Sequence, residues 1–387
     1  MNDLHVSAAV RYVGADDTTL DLFEGQYPIP NGVSYNAYVI LDEKVAVLDT
    51  VDHRATERWL QNLDEQLAGR NPDYLVLHHL EPDHAGSVGA FLAKYPDVTL
   101  VGNAKTFAML PKYYAYDASH TVTVKEGDTL SLGKHTLTFV MAPMVHWPEV
   151  MVSYESSEKI LFSADGFGKF GALSAEEDWT CEARRYYFNI VGKYGVQVQA
   201  LLKKAAGLDI QTICPLHGPV LKEDLGFYIG KYDLWSRYEP EDEGVLVAYA
   251  SIHGNTARAA AKMAEILEAK GCPKVVLADL CRDDQAEAVK DAFRYGKAVL
   301  MSPTYDGGLF PPMDHFMAHL RDKTWRKRTA AIIENGSWAP SAAKVMRGYL
   351  EAMKEITICP TVHTIQGALK DSDAAVMEQI ADELLKS

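Results

Sequence analysis

Apolar and polar residues alternate in short runs over residues 1–235, a pattern that predicts β-strands separated by tight turns. Two longer segments, 55–67 and 87–94, repeat their apolar positions with helical spacing and are expected to be helices. The strands are expected at 35–40, 45–48, 74–77, 121–124, 135–141, 159–163 and 210–214. This part of the chain therefore predicts a mixed α and β domain.

After residue 244 the pattern changes to a regular alternation of apolar strands and amphipathic helices. The strands are expected at 245–250, 274–280, 298–302, 329–334 and 361–366, and the helices at 255–270, 284–295, 312–321, 340–354 and 372–385. Such an alternation predicts a doubly wound parallel sheet of the α/β class. The charged, Pro- and Gly-containing segment 238–244 is typical of a boundary, so we expect two domains, 1–243 and 244–387.

Composition narrows the classes of partner. The chain has 387 residues, of which 48% are hydrophobic, and a formal net charge of -15 that argues against nucleic acid or an anionic membrane as a partner. No apolar run is long enough to span a membrane, and the first five residues lack the features of a signal peptide. The five cysteines contain no C-x-x-C pair, which argues against a disulfide framework or a rubredoxin-type centre. A cytoplasmic protein is expected.

Potential metal ligands are concentrated in one segment of six residues, directly after the strand expected at 74–77. They are His79, Glu81, Asp83 and His84. Ligands at alternate positions face the same side of an extended backbone, whereas the adjacent Asp83 and His84 need a turn, with which Pro82 is consistent. His78 would point to the opposite side, so we do not expect it to be a ligand.

Three further residues of ligand type follow other apolar strands, each next to Gly or Pro. They are His146, Asp165 and His217. A single histidine in such a loop usually only makes hydrogen bonds. Their combination with the six-residue segment is typical of loops gathered at one edge of a sheet, and the seven side chains suffice for two metal ions.

This ligand set resembles that of the metallo-β-lactamase superfamily, which implies an αββα sandwich over about residues 1–235. Hydrolytic members typically have His-x-His-x-Asp-His, whereas Glu81 takes the place of the second histidine here. Three carboxylates with three or four imidazoles form a harder and more anionic site, which suits iron. Asp165 as a bridging ligand would couple two irons electronically.

Three polar loops are expected at the carboxyl ends of the strands in the second domain. The first enters a helix directly, and its hydroxyl, amide and glycine groups predict a cradle for a monophosphate. The two later loops contain glycines and an aromatic residue, which fit a flat ring. The candidate residues are Ser251, Ile252, His253, Gly254, Asn255 and Thr256, then Ser302, Pro303, Thr304, Tyr305, Asp306 and Gly307, then Asn335, Gly336, Ser337 and Trp338. This half resembles the flavodoxins, which implies bound FMN.

The two halves in this order resemble the flavodiiron proteins, also called A-type flavoproteins. The resemblance implies reduction of O2 to water or of NO to N2O, with FMN passing electrons to two irons. It places one iron on His79, Glu81, His146 and Asp165, and the other on Asp83, His84, Asp165 and His217.

In the family, the residue at the position of His84 does not always bind metal. A tyrosine near the pocket, here Tyr194, is also implied. Some members have a histidine at the position of Glu24, so the preference between O2 and NO stays open.

No rubredoxin or flavin-reductase segment follows the second domain before Ser387, so a separate electron donor is expected, either a rubredoxin-like protein or a reduced deazaflavin. The short linker around Pro240 predicts that a flavin serves the irons of a neighbouring chain in a head-to-tail homodimer or a pair of such dimers. Two other classes of function remain open. They are a dinuclear zinc hydrolase with an accessory flavin domain, and a redox or gas sensor without turnover.

Overall fold

The computed structural model describes residues 5–386, which form two compact units. The first unit extends to Tyr187 and resumes over Val196–Asp233, and the second contains Phe188–Gly195 and the chain from Leu234 onward. The domain boundary expected between residues 243 and 244 stays a prediction. Residues 1–4, on which the signal-peptide prediction partly rests, lie outside the described residues. Within the described range, no helix has the length and apolarity needed to cross a membrane.

The first unit is built on two sheets and two small strand pairs. Its strands are β1 (Val10–Tyr12), β2 (Ala15–Asp17), β3 (Leu22–Phe23), β4 (Tyr27–Pro28), β5 (Val33–Tyr35), β6 (Tyr38–Leu41), β7 (Val45–Leu48), β8 (Tyr74–Val76), β9 (Thr99–Asn103), β10 (Thr121–Val124), β11 (Thr129–Ser131), β12 (Thr136–Met141), β13 (Met151–Glu155), β14 (Ile160–Phe162) and β15 (Thr212–Cys214). One sheet has the order β1-β6-β7-β8-β9-β10 and the other β11-β12-β13-β14-β15, while β2 pairs with β5 and β3 with β4.

The helices in this part of the chain are mostly short. They are α1 (Thr56–Leu67), α2 (Pro82–Ala85), α3 (Val88–Lys94), α4 (Ala104–Met109), α5 (Trp179–Tyr186), α6 (Gly195–Ala205) and α7 (Leu225–Ser236). Short 3-10 turns occupy His53–Ala55, Leu110–Lys112 and Gly192–Tyr194, and a π-helical turn occupies Tyr187–Val191.

The two sheets pack face to face around one apolar core. Ile40 and Leu48 from the first sheet belong to the same buried cluster as Phe139 and Phe162 from the second. Burying one such side chain stabilises the fold by about 1.5–3 kcal/mol. All residues of β7 are buried, because this central strand is covered on both faces. The arrangement confirms the predicted αββα sandwich.

The second unit contains a parallel sheet with helices between its strands. The strands are β16 (Asp242–Tyr249), β17 (Val275–Asp279), β18 (Tyr295–Tyr305), β19 (Gly308–Leu309), β20 (Arg328–Asn335) and β21 (Ile356–Ile365), and the helices are α8 (Asn255–Ala269), α9 (Gln285–Arg294), α10 (Pro311–Asp322), α11 (Ala342–Ala352) and α12 (Asp371–Lys386). The strand order β17-β16-β18-β20-β21 is that of flavodoxin-like folds. The predicted doubly wound sheet is therefore confirmed.

The last strand differs from the prediction in its length. β21 begins at Ile356, five residues before the predicted strand, and Pro360 lies inside it. A proline cannot donate to the hydrogen-bond ladder, but it is tolerated on an edge strand. β21 pairs only with β20 among the described strands, and its register shifts between Ala330 and Ile332 of β20.

Candidate metal and flavin sites

Four loops at the carboxyl ends of strands carry the predicted ligands. In the five-stranded sheet, β12, β14 and β15 run in the same direction, because β13 is antiparallel to both β12 and β14 and β15 is parallel to β14. The loops with His146, Asp165 and His217 therefore leave the same edge. The fourth loop follows β8 of the other sheet. In this loop Glu81 is extended and Pro82 begins α2, which supplies the turn expected at Asp83.

The structure brings all seven predicted ligands together in two groups. The first group contains His79, Glu81, His146 and Asp165, and its four ligand atoms lie within 4.8 Å of one another. Glu81 Oε2 lies 2.9 Å from His146 Nε2 and 3.2 Å from His79 Nε2. Asp165 Oδ2 lies 3.1 Å from the same atom of His146. Carboxylate oxygens and imidazole nitrogens thus converge on one point.

The second group contains Asp83, His84 and His217. Asp83 Oδ2 lies 3.3 Å from His84 Nε2 and 3.2 Å from His217 Nε2, and these two nitrogens are 3.1 Å apart. Asp165 connects the groups, since its Oδ1 lies 3.1 Å from His84 Nε2 while its Oδ2 faces His79 and His146. This carboxylate has the position that a ligand shared by two metals requires.

The unpaired buried atoms of the site fit a pair of cations. Within residues 5–386, no carboxylate oxygen of Asp83 or of Asp165 makes a hydrogen bond of regular geometry, and the polar atoms close to them include imidazole nitrogens of the other ligands. Buried carboxylates of this kind are costly unless they face positive charge. Two metal ions between the groups would satisfy these oxygens, and a set of carboxylates and imidazoles is suited to iron.

Electrostatics keep the carboxylates charged in spite of their burial. Burial raises the pKa of Asp165, but the facing imidazoles of His79 and His84 outweigh it and hold this pKa well below the ordinary value. Burial also disfavours the charged form of His146 and would lower its pKa, but the carboxylates of Asp165 and Glu81 outweigh this effect and raise the pKa to about 9. The site therefore attracts cations strongly, whether these are protons or metals.

Partners behind the ligands orient two of the imidazoles. His79 Nδ1 donates to Glu149 Oε1 at 2.8 Å, and His217 Nδ1 donates to the Ser34 carbonyl oxygen at 2.7 Å. Each acceptor keeps the proton of its ring on Nδ1. The unprotonated Nε2 of each ring therefore faces the site and can bind metal. Sequence reasoning missed both partners. The only sequence feature that could have indicated Glu149 is its position three residues after His146. The Ser34 contact is made by a backbone carbonyl, so its side chain could not have indicated it.

His78 points away from the ligand groups. Its Nδ1 lies 2.6 Å from Asp49 Oδ2 and its Nε2 2.8 Å from Ser153 Oγ, and all three side chains are buried. The three residue types are those of a hydrolytic triad, but Ser153 is fully buried. The contact instead joins the two sheets behind the ligand loop.

Aromatic residues close one side of the metal site. The Tyr186 ring centroid lies 5.4 Å from that of His217, and Phe23 lies 5.6 Å from the same ring. Burial, and then the charges of Asp165 and its neighbours, raise the pKa of Tyr186 well above its ordinary value. Tyr194 lies in the turn Gly192–Tyr194, which belongs to the second unit, and its predicted role stays a prediction.

A pocket of about 240 Å³ leads to the ligands. Glu24, Arg54, Glu81 and Asp83 are among its lining residues. The position of Glu24 therefore faces the approach to the metal site. Glu24 has a backbone φ of 50°, in the left-handed region, within the turn between β3 and β4.

The three polar loops of the second unit converge on a pocket of about 570 Å³, a volume in the range of cofactor sites. Its lining residues are Ser251, Ile252, His253, Asn255, Thr256, Pro303, Thr304, Tyr305, Asp306, Gly307, Asn335, Gly336, Ser337, Trp338, Ala339 and Gly367. Of the predicted residues, Ser302 and Gly254 do not line it, since Ser302 is buried within β18 and Gly254 caps α8. Sequence reasoning missed Ala339 and Gly367.

The pocket fits FMN in two respects. The amino end of α8 begins at Asn255, and Gly254 takes a φ of 85°, a conformation that glycine adopts without strain. The backbone N–H groups of such a helix end suit a phosphate. Trp338 is 81% exposed and Tyr305 is 43% exposed at the pocket, so their rings are available to contact a flat ring.

Comparisons with known proteins agree with this architecture. A family model described as "ODP family beta lactamase" matches residues 33–218. The chain is 30% identical to a nitric oxide reductase of Moorella thermoacetica over 95% of this chain and 94% of that protein. It is also 30% identical to the rubredoxin-oxygen oxidoreductase of Megalodesulfovibrio gigas over 88% of this chain and 87% of that protein.

Solved structures give the same result over almost the whole chain. The rubredoxin oxygen:oxidoreductase from Desulfovibrio gigas superposes with a TM-score of 0.93 and 26% identity, covering 98% of this chain and 97% of that chain. The flavodiiron protein from Giardia intestinalis superposes with a TM-score of 0.93 and 25% identity, covering 100% and 97%.

A lactamase-like sandwich with a dinuclear ligand set, followed by a flavodoxin-like sheet, defines a class of two-cofactor redox proteins. The chain belongs to the flavodiiron protein family, whose name denotes a flavin and a pair of irons. It is an oxidoreductase.

Proposed function

We propose that this protein reduces O2 to water, or NO to N2O, at a diiron site that receives electrons through FMN. Reduction of one O2 to two waters consumes four electrons and four protons. Conversion of two NO to N2O and water consumes two of each. The observation that carries the proposal is the position of Asp165, whose two oxygens face two separate groups of ligands.

The ligand assignment follows the two groups. His79, Glu81, His146 and Asp165 would hold one iron, and Asp83, His84, Asp165 and His217 would hold the other. When bound, the irons would supply electrons and a single site for O–O cleavage or for N–N coupling of two NO molecules. The chain's own contribution is to keep the carboxylates ionised, to orient the imidazoles through Glu149 and Ser34, and to line the approach. The position of Glu24 supports a role in the choice between O2 and NO.

For the flavin, we assign the FMN phosphate to loop 251–256 at the amino end of α8. The loops 302–307 and 335–338 would hold the ring, with Gly254 and Ser302 shaping the loops from behind. Tyr194 is retained as the proposed tyrosine near the diiron pocket. Bound by these loops, FMN would supply one-electron transfer between a donor and the metal site.

The proposed electron donor is a separate rubredoxin-like protein or a reduced deazaflavin. The name of the Megalodesulfovibrio gigas relative, a rubredoxin-oxygen oxidoreductase, supports the first of these. We also propose a cytoplasmic location, and a head-to-tail homodimer or a pair of such dimers. The support for the dimer is the short linker around Pro240 together with the steep fall of electron transfer with distance.

The test combines cofactor analysis with anaerobic assays. Protein from iron-replete expression should be yellow and contain about one FMN and about two irons per chain. With a reductant it should consume O2 or NO. Zinc without iron, together with esterase or thioesterase activity in the absence of reductant, would instead identify a dinuclear hydrolase. A spectral change on gas binding without consumption would identify a sensor. Zinc displaces ferrous iron in many sites, so the iron supply must be controlled.

A further inference from the structure

A largely apolar cavity of about 250 Å³ lies in the first unit, beside the loops that carry the metal ligands. Side chains alternate between the two faces of a strand, and the cavity lies on the face of the five-stranded sheet opposite the central core. Thus Phe139 belongs to the core, whereas its neighbour Val140 lines the cavity. Helices α6 and α7 cover the other side. The aliphatic lining includes Val140, Val152, Leu161, Val198, Leu202 and Ile229.

One wall of the cavity is formed by the ligand loops themselves. Val145, which immediately precedes His146, lines the cavity, and so does Phe167, two residues after Asp165. Phe167 has a φ of 68°, and its ring lies 4.3 Å from the ring of Tyr232 on α7. The peptide segments that hold two of the ligands therefore separate this cavity from the metal site.

Burial changes along the cavity lining. Val145, Phe167 and Tyr232 are at most 6% exposed, whereas Leu201 and Leu202 on α6 are partly exposed. The cavity thus extends from a partly exposed helix face to buried residues beside the ligands. This gradient is the arrangement that an entry route for a small molecule needs.

The lining determines which kind of molecule the cavity can bind. A largely aliphatic lining offers water few hydrogen-bond partners, and apolar cavities in proteins can stay dry and bind apolar guests such as xenon. O2 and NO are small, uncharged and weakly hydrated, so their transfer from water into an apolar cavity is favourable. The lining of the pocket at Glu24, by contrast, includes five charged side chains and suits water and protons.

We propose that this cavity binds small apolar gas molecules and supplies them to the metal site. The proposal rests on the proposed function for the identity of the gas, O2 or NO. Gas binding itself is independent of that function, because it follows from the lining and the volume.

The experiment narrows the cavity without touching a ligand. Val198 on α6 is 2% exposed and lines the cavity, so Val198→Phe should fill part of it. Val196→Phe is the matched control, because Val196 lies on the same helix but is 71% exposed. Leu202→Trp, at a partly exposed lining position, is a second filling variant with less risk of misfolding. Iron and FMN contents and melting temperature are measured for each variant.

The first readout is xenon binding in pressurised crystals of the metal-loaded protein. Xenon should occupy the cavity in the wild type and in Val196→Phe, and it should be lost in a filling variant. The second readout is steady-state gas consumption. The filling variants should raise the KM for the gas several-fold and leave kcat unchanged, since the irons and the flavin are intact.

Absence of xenon from the wild-type cavity would overturn gas binding. Loss of xenon in a filling variant with an unchanged KM would overturn supply to the metal site. If the wild type consumes neither O2 nor NO, the proposed function fails, and supply fails with it. The xenon result then still decides whether the cavity binds apolar gas, so the two failures are distinguishable.

Discussion

His79 Nδ1 lies 2.8 Å from Glu149 Oε1, a contact between residues 70 positions apart in the chain. The same oxygen accepts a hydrogen bond from the Leu80 backbone N–H at 2.9 Å, and Glu149 is fully buried. One carboxylate therefore orients a ligand ring and holds the backbone of the loop that follows it.

We expect Glu149→Gln to weaken metal binding about 10–100-fold, because the ring of His79 loses its charged acceptor. The measurement is competition with a chelator, followed by iron analysis. Glu57→Gln is the control, since Glu57 is exposed on α1. Equal iron affinity in both variants would show that Glu149 does not position His79.

Glu81→His should restore the ligand set of the hydrolytic relatives. We expect zinc occupancy to rise relative to iron, because the site then has two carboxylates instead of three and favours iron less. Gas reduction should be abolished. FMN should remain bound, since its loops belong to the other unit. Metal analysis and flavin absorbance check this together. A variant with both irons and near-normal turnover would show that Glu81 does not select the metal.

The metal-free protein should lose stability as the pH rises. The pKa of His146 is raised from 6.5 to about 9. A group with a raised pKa in the folded state stabilises it fully below the unfolded value, and this stabilisation is lost as the pH rises through the folded value. The free energy of unfolding should therefore fall between pH 6.5 and about 9. Urea unfolding at a series of pH values measures it.

The metal-loaded protein should lack this decline, because metal ions replace the protons as the positive charge between the carboxylates. The metal-free His146→Asn variant should show a smaller decline than the metal-free wild type. A wild type whose metal-free stability stays constant over this range would contradict the raised pKa.

Asp49 connects the ligand loop to the rest of the fold. Its Oδ1 accepts from the backbone N–H groups of His78 and His79, and its Oδ2 faces His78 Nδ1. Asp49→Ala leaves these buried donors without an acceptor, so we expect a loss of about 3 kcal/mol in the free energy of unfolding. Asp97→Ala, at an exposed position, should change it little. Similar denaturant midpoints for the two variants would contradict the assigned role.

Catalysis in trans can be tested by mixing two inactive variants. Asp165→Ala should lose the diiron site, and Asn255→Ala with Thr256→Ala should weaken FMN binding. Each variant alone should be inactive. A purified mixed dimer, carrying two different tags, should regain a substantial part of the gas consumption, because one flavin then meets one intact diiron site. A verified mixed dimer without recovery would mean that electrons pass within a chain.

Much of the site could be predicted from local sequence. Four ligands occur within His79–His84, and α2 begins at Pro82, so neighbouring residues determine the geometry of that loop. The order of strands and helices after residue 244 likewise follows from local periodicity. The flavin loops follow from this order, because parallel strands place their carboxyl ends at one edge.

Only the tertiary structure decided which residues accept hydrogen bonds from the ligand imidazoles and orient them. Glu149 meets His79 across 70 positions, and the Ser34 carbonyl meets His217 across 183, so neither contact has a local sequence pattern. The gas cavity is equally non-local, since β12, β13, β14, α6 and α7 each contribute only a few of its aliphatic side chains. The sequence by itself determined the chemical identity of the ligands and loops, through short-range spacing. Their mutual orientation, and the space between elements, arise only when distant segments pack, because packing depends on contacts that no short segment contains.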